Sequence, residues 1–100
     1  MKPYKLRDGG KAAYPIGPVA KWVGFGALDD GREIEVRVED IALQRLEPSS
    51  QGADHTNALQ KHRSRVFAIA AEKYELDGVG PDGRVYVKDA DVVRAAREAE

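Results

Sequence analysis

The chain of 100 residues contains no cysteine. That excludes disulfides, thiol nucleophiles, iron–sulfur clusters and thiolate zinc sites together. Aromatic residues are scarce at 7%, and Trp22 is the single tryptophan. A charge surplus is also missing: Lys and Arg number 16, Asp and Glu 17, and the net charge is −1. Nucleic-acid modules usually carry a basic excess, so this balance weighs against that class while leaving room for a local patch. No run approaches the roughly 20 apolar residues of a membrane span. The opening "MKPYKLRDGGKAAYPIGP" lacks the apolar centre of a signal peptide. A cytoplasmic location, with no membrane attachment, is the resulting expectation.

What is present fits a folded domain. Hydrophobic residues make up 42% and charged residues 33%, a composition that can bury a core. The length suits one domain with a modest core. Residues 1–20, rich in Gly, Pro and Lys, read as a loose N-terminal segment in which Tyr14 and Ile16 suit a strand start or a sheet edge. Residues 21–100 read as a single α+β domain.

The clearest local signal is "KWVGFGALDDGREIEVRVED". Val23, Phe25 and Ala27 alternate with Trp22, Gly24 and Gly26, and Ile34, Val36 and Val38 alternate with Glu33, Glu35 and Arg37. Between them Asp29-Asp30-Gly31 makes a tight turn. The period of two places Val23, Phe25, Ile34, Val36 and Val38 on one buried face and turns Glu33, Glu35 and Arg37 to water. "EDIALQRLEP" predicts a short helix with Ile41, Leu43 and Leu46 as apolar contacts and Pro48 as its stop. Asp54 suits the N-cap of a long helix over 55–76. "RVYVK" predicts a third strand, and Asp89 a cap for a last helix. The order β-β-α-α-β-α implies a two-layer fold, with a small antiparallel sheet and helices packed on one face.

The long helix carries a puzzle. Stepping about 100° per residue from Leu59, Val66 and Ala70 share its centre line, with Phe67, Ile69 and Tyr74 flanking. Arg63 falls about 40° from that line, inside the apolar arc, and His62 about 60° away on the other side. An unpaired buried charge costs several kcal/mol. Either the Arg63 stem packs while its guanidinium reaches water or a carboxylate, with Glu39 and Asp40 as candidates, or His62 and Arg63 line a pocket for an anion.

Other constellations are weak. His55 and His62 lie about 10 Å apart along one helix, too far to share a metal, so no metal or cofactor is expected. Ser64 and His62, two residues apart, do not face each other, and no Gly-x-Ser-x-Gly elbow occurs. Asp29 and Asp30 are explained by turn chemistry. Lys61, Arg65, Arg94 and Arg97 suggest a basic helical face, or an ordinary solvated one. Trp22 and Tyr86 suggest an aromatic patch on the outer sheet face, and hence a protein contact or dimer interface, unless the N-terminal segment or last helix covers them.

Three stretches in order carry a family resemblance: "VGFGALDDGREIEVRVEDIAL", "LQKHRSRVFAIAAEKY" and "DGRVYV". With Phe25, Ala27, Leu28, Gly31, Leu43, His62, Arg63, Ala70, Gly83 and Val85 at matching places, the chain from Val23 to Val87 resembles a group of small bacterial proteins called domain of unknown function 1488. Gly26 stands where that family often has proline, and both chain ends extend beyond its shorter members. The resemblance implies a small α+β cytoplasmic protein of bacterial type, with no activity, cofactor or catalytic residue to carry over. The expectation is therefore a non-enzymatic protein-interaction or regulatory module, with a homodimer as one form. A nucleic-acid accessory protein using the basic face is the alternative, and an anion pocket at His62 and Arg63 the third reading.

Overall fold

A computed structural model describes residues 4–17, 21–48 and 55–98. Two short strands come first, β1 (Arg7–Asp8) and β2 (Tyr14–Ile16), followed by the hairpin β3 (Trp22–Asp29) and β4 (Arg32–Glu39). Helices α1 (Asp40–Leu46), α2 (His55–Lys61) and α3 (Arg63–Asp77) follow, then β5 (Val85–Val87) and α4 (Asp89–Glu98). The expected two-layer α+β fold is present, with three main departures from the sequence reading.

The first departure is at the N-terminus. Within the segment expected to be loose, Arg7–Asp8 form a strand of the sheet, while Tyr14–Ile16 take the sheet-edge place that the sequence suggested for Tyr14 and Ile16. Arg7 and Asp8 pair with Leu28 and Ala27, and Tyr14, Pro15 and Ile16 pair with Gly24, Val23 and Trp22. Leu6 is only 1% exposed. One buried leucine contributes roughly 1.5–3 kcal/mol, an anchor that the surrounding Gly and Lys residues conceal in the sequence. Pro15 sits in the outermost strand, where a missing N–H is tolerated and edge pairing is discouraged.

The second departure is strand direction. β5 joins the expected sheet beside β4 but runs parallel to it, with Val36, Arg37 and Val38 opposite Val85, Tyr86 and Val87. The connection through α1, α2 and α3 is long enough to return the chain to the starting end, as a parallel crossover requires. The sheet is mixed, with β3 and β4 antiparallel at its centre. Their turn is the expected one: Asp29 pairs with Arg32, and Asp30 and Gly31 have φ of 51° and 84°. Two consecutive positive φ values match the right-handed twist of a hairpin, and glycine adopts the second without strain.

The third departure is the long helix, which bends at His62 (φ −105°, ψ 21°) into α2 and α3. Its amides still bridge the bend: His62 N–H donates to Ala58 O at 3.0 Å, and Val66 N–H to His62 O at 3.0 Å. The Asp54 cap lies outside the described residues. In α1, Ala42 and Leu43 are buried while Ile41, expected inward, is 53% exposed. At α4 the expected cap is also corrected. Asp91 rather than Asp89 reaches back to the Lys88 N–H at 2.8 Å, as in half a capping box. Asp89 pairs with Arg45 of α1 instead.

Phe25, Val36 and Val38 of the sheet and Leu43, Leu59, Val66 and Ala70 of the helices are 0% exposed and form the centre of one core. All of them lie between the helices and one sheet face. The outer face carries Trp22, Gly24, Gly26, Leu28, Glu33, Glu35 and Arg37, together with Tyr14 and Tyr86 in the neighbouring strands.

Candidate functional site

The structure answers the Arg63 question through Asp8. Arg63 Nε and Nη2 donate to the two carboxylate oxygens of Asp8 at 2.9 and 2.8 Å, a bidentate fork between residues 55 positions apart. Nη1 donates to Gln60 Oε1 at 2.9 Å. The guanidinium carbon lies 5.1 Å from the centroid of the Phe25 ring. The side chain is 17% exposed. Packed stem, stacked plane and paired fork together make a strap between α3 and β1. The hydrogen bond from Arg63 holds the Asp8 carboxyl below its usual range, and the same bond raises Arg63. The partner is Asp8, not Glu39 or Asp40, and nothing in sequence spacing marks it.

His62 is engaged as well. Its Nε2 lies 2.8 Å from Glu47 Oε2, and Lys61 Nζ lies 3.0 Å from the same oxygen. Glu47 follows α1, so these contacts tie the end of that helix to the bend between α2 and α3. Hydrogen bonds from His62 first, then Lys61, hold the Glu47 carboxyl below its usual range. The cavity described below is lined by other residues. Asp29, read as turn chemistry alone, is buried and accepts a hydrogen bond from the Tyr74 hydroxyl, which itself accepts from Arg32 at 3.3 Å. That contact fixes the hairpin tip to the last turn of α3.

Of the basic residues, Lys61 is paired with Glu47, and Arg94 lies 3.6 Å from Asp91. Arg65 and Arg97 are exposed on α3 and α4. Two of the four charges in the suggested basic face are thus balanced locally.

The outer face of the sheet holds the densest polar arrangement. Glu35 Oε2 accepts from the Tyr14 hydroxyl at 2.7 Å, and Oε1 accepts from Arg37 Nε at 2.6 Å and Arg84 Nε at 2.7 Å. Arg84 continues to Asp82 at 3.3 Å, and Asp82 accepts from the Tyr86 hydroxyl. One chain of hydrogen bonds thus runs from β2 across β4 to β5. Partial burial pushes Glu35 up, but the bonds from Tyr14, Arg37 and Arg84 outweigh it and leave the carboxyl below its usual range. Tyr14 is pushed up to about 12, by burial first and then by its bond to Glu35. Gly24 makes room for the Tyr14 ring: a Cβ there would lie 2.7 Å from Tyr14 Cε2.

At the β5 end of this face, Trp22 meets Tyr86 edge to face, with centroids 5.1 Å apart. The sequence suggested both as an aromatic patch, and the structure brings them together across β4. They border a cavity of about 390 Å³ whose wall includes Val79, Val85, Lys73 and Lys88. Lys73 donates to the Tyr86 carbonyl and to Asp91, at 2.8 Å in the latter case, closing the back of the cavity. Asp91 is pushed up by burial, but the Lys73 and Lys88 N–H bonds leave it below its usual range. Lys73 was missed because helical periodicity shows only a charged residue on a helix flank. Among the described residues no three His, Asp or Glu side chains gather as a metal site. No described helix is long and apolar enough to cross a membrane.

No curated protein matches the chain. Its fold is similar to the crystal structure at 1.60 Å of a protein of unknown function from the DUF1488 family of Shewanella loihica PV-4, with a TM-score of 0.73. The likeness covers 87% of this chain and 96% of that one at 12% identity, so it is a likeness of fold. The family model described as "Protein of unknown function (DUF1488)" matches residues 17–87, from just after β2 to the end of β5. That stretch holds the hairpin, the bent helix and the parallel strand that build the core, and the chain belongs to the DUF1488 family.

Proposed function

We propose that the chain is a non-catalytic module that binds a protein partner through the outer face of its sheet, at the Trp22–Tyr86 end. The observation that carries this reading is the edge-to-face aromatic pair on the outer sheet face, beside an open cavity at the β5 edge. Aromatic residues in such settings are frequent anchors of protein contacts. A homodimer is one form of this contact and a regulatory complex another.

The test compares the full chain with the Trp22→Ser and Tyr86→Ser variants. Sedimentation velocity reads self-association, and chemical crosslinking in the source cells reads other partners. The expected result is a dimer or a crosslinked complex that both substitutions abolish while the circular dichroism spectrum is retained. A chain that stays monomeric and forms no crosslinked complex would overturn the proposal. So would a complex indifferent to both substitutions.

A further inference from the structure

The cavity beside Trp22 indicates what its partner must offer. We infer that it is a socket for one apolar side chain presented by an acidic segment of a protein partner. This inference rests on the protein-contact reading above and adds the chemistry of the contact.

The first ground is that most of the sheet edge here is closed to strand pairing. An extended peptide could otherwise add itself to β5 through backbone hydrogen bonds. Arg84 N–H already donates to Asp82 at 3.2 Å, and Arg84 O accepts from Gly80 at 2.9 Å. The Tyr86 carbonyl accepts from Lys73, and Lys88 N–H donates to Asp91 at 2.8 Å. The Lys88 carbonyl accepts from Asp91 and Val92 at 2.9 and 3.3 Å. Five of the six outward backbone groups of Arg84, Tyr86 and Lys88 are thus engaged, the Tyr86 N–H being the exception, so recognition falls chiefly to side chains.

The second ground is the shape and fixity of the socket. Trp22, Val79, Val85 and Tyr86 supply apolar lining. Tyr86 is held by Asp82 and Arg84 by Glu35, so these walls need little ordering when a partner arrives. Apolar surface remains uncovered in the wall itself, where Val79 is 39% exposed. A free small molecule would leave that surface uncovered, whereas a protein segment would cover it.

The third ground is charge. Lys88 lines the cavity, and Lys21 Nζ lies 5.9 Å from the Trp22 ring centroid. Neither ammonium has an acid partner among the described residues, and both are exposed. Asp77 is the one carboxylate in the wall. The nearby acids Glu35, Asp82 and Asp91 are occupied by Arg37, Arg84 and Lys73. The two free ammoniums outnumber the single wall carboxylate of Asp77, and this net positive charge favours carboxylates flanking the inserted group.

Because Trp22 is the single tryptophan, its emission reports on the socket directly. The full chain is titrated with capped pentapeptides: phenylalanine between pairs of glutamates, phenylalanine between pairs of lysines, and alanine between pairs of glutamates. 3-Phenylpropionate serves as a small free carboxylate. The acidic phenylalanine peptide is expected to give a saturable emission change, with affinity about tenfold above the other three probes and lowered about tenfold by Lys88→Glu. Lys88 is exposed, so that variant should fold as the parent does. The inference is overturned if no probe saturates, if the lysine peptide binds equally well, or if 3-phenylpropionate matches the acidic peptide. If the peptides fail while a complex sensitive to Trp22→Ser persists, the socket falls and the protein-contact proposal stands. If that complex is also absent, both fall.

Discussion

The two faces of the sheet are made from alternate residues of the same strands, yet they are held by different physics. On the inner face Val23, Phe25, Ala27, Ile34, Val36 and Val38 are buried against the helices. On the outer face Glu35, Arg37, Arg84 and Asp82 remain partly exposed and pair with one another. The inner face stabilises through area removed from water, in proportion to size and with little directionality. The outer face gains little net energy, because each ion pair exchanges water contacts for protein contacts and salt screens it. What the outer network supplies is geometry. It fixes Tyr14, Arg84 and Tyr86 around Glu35 and Asp82, so that the aromatic end of the face stays in place.

This contrast can be tested by substitutions of graded effect. Phe25→Ala should be the most damaging, because it empties the centre of the inner face and removes the ring beneath Arg63. A loss of about 3–5 kcal/mol is expected in urea unfolding, and a loss under 1 kcal/mol would break the comparison. Arg63→Ala comes next, at about 2 kcal/mol, since it leaves Asp8 unpaired and releases the strap to β1. A double-mutant cycle with Asp8→Asn should show that the two changes are not additive.

Acid should separate the two faces by a different route. Asp8 and Glu35 are held below their usual range in the folded chain, so the unfolded chain takes up protons first as pH falls. Their contribution is complete above the ordinary carboxylate value of about 4 and is lost as pH drops through the lower folded values. Unfolding midpoints measured between neutral and acid pH should therefore decline in the parent and less steeply in an Asp8→Asn, Glu35→Gln variant. At neutral pH, Glu35→Gln alone should cost under about 1 kcal/mol, as befits a half-exposed network. It should nonetheless free the Tyr14 hydroxyl, which a fall in the Tyr14 titration midpoint from about 12 would reveal by ultraviolet absorbance. Arg65→Ala, on the exposed side of α3, should stay within about 0.5 kcal/mol of the parent.

Much of the inner face is legible in the sequence, because period-two alternation over 22–39 leaves one register that buries the apolar set. The same alternation placed Glu33, Glu35 and Arg37 on the other side and put Trp22 on their face. Positive φ at Asp30 and Gly31 confirms a turn that the Asp-Asp-Gly spelling announced. Less legible was the start of the N-terminal segment, whose Gly, Pro and Lys content argues for a loose chain even though Leu6 is buried and β1 pairs with β3; only Tyr14 and Ile16 hinted at the sheet edge that β2 forms. Composition averages over a segment, while a single buried side chain can anchor it. The bend at His62 was equally hidden, because the helical hydrogen bonds nearly continue through it.

From sequence alone came the α+β class, the hairpin and its buried face, the inward stripe of the bent helix and the family resemblance. Each depends on local periodicity or on residue order, and neither requires knowledge of what lies across space. Tertiary structure alone decided that β5 runs parallel, that Asp8 is the partner of Arg63, and that Trp22 and Tyr86 meet across β4. Those are pairings between residues far apart in the chain. They follow from how the layers close over the core, because a charge or ring takes whichever partner the packed backbone brings within a few ångströms.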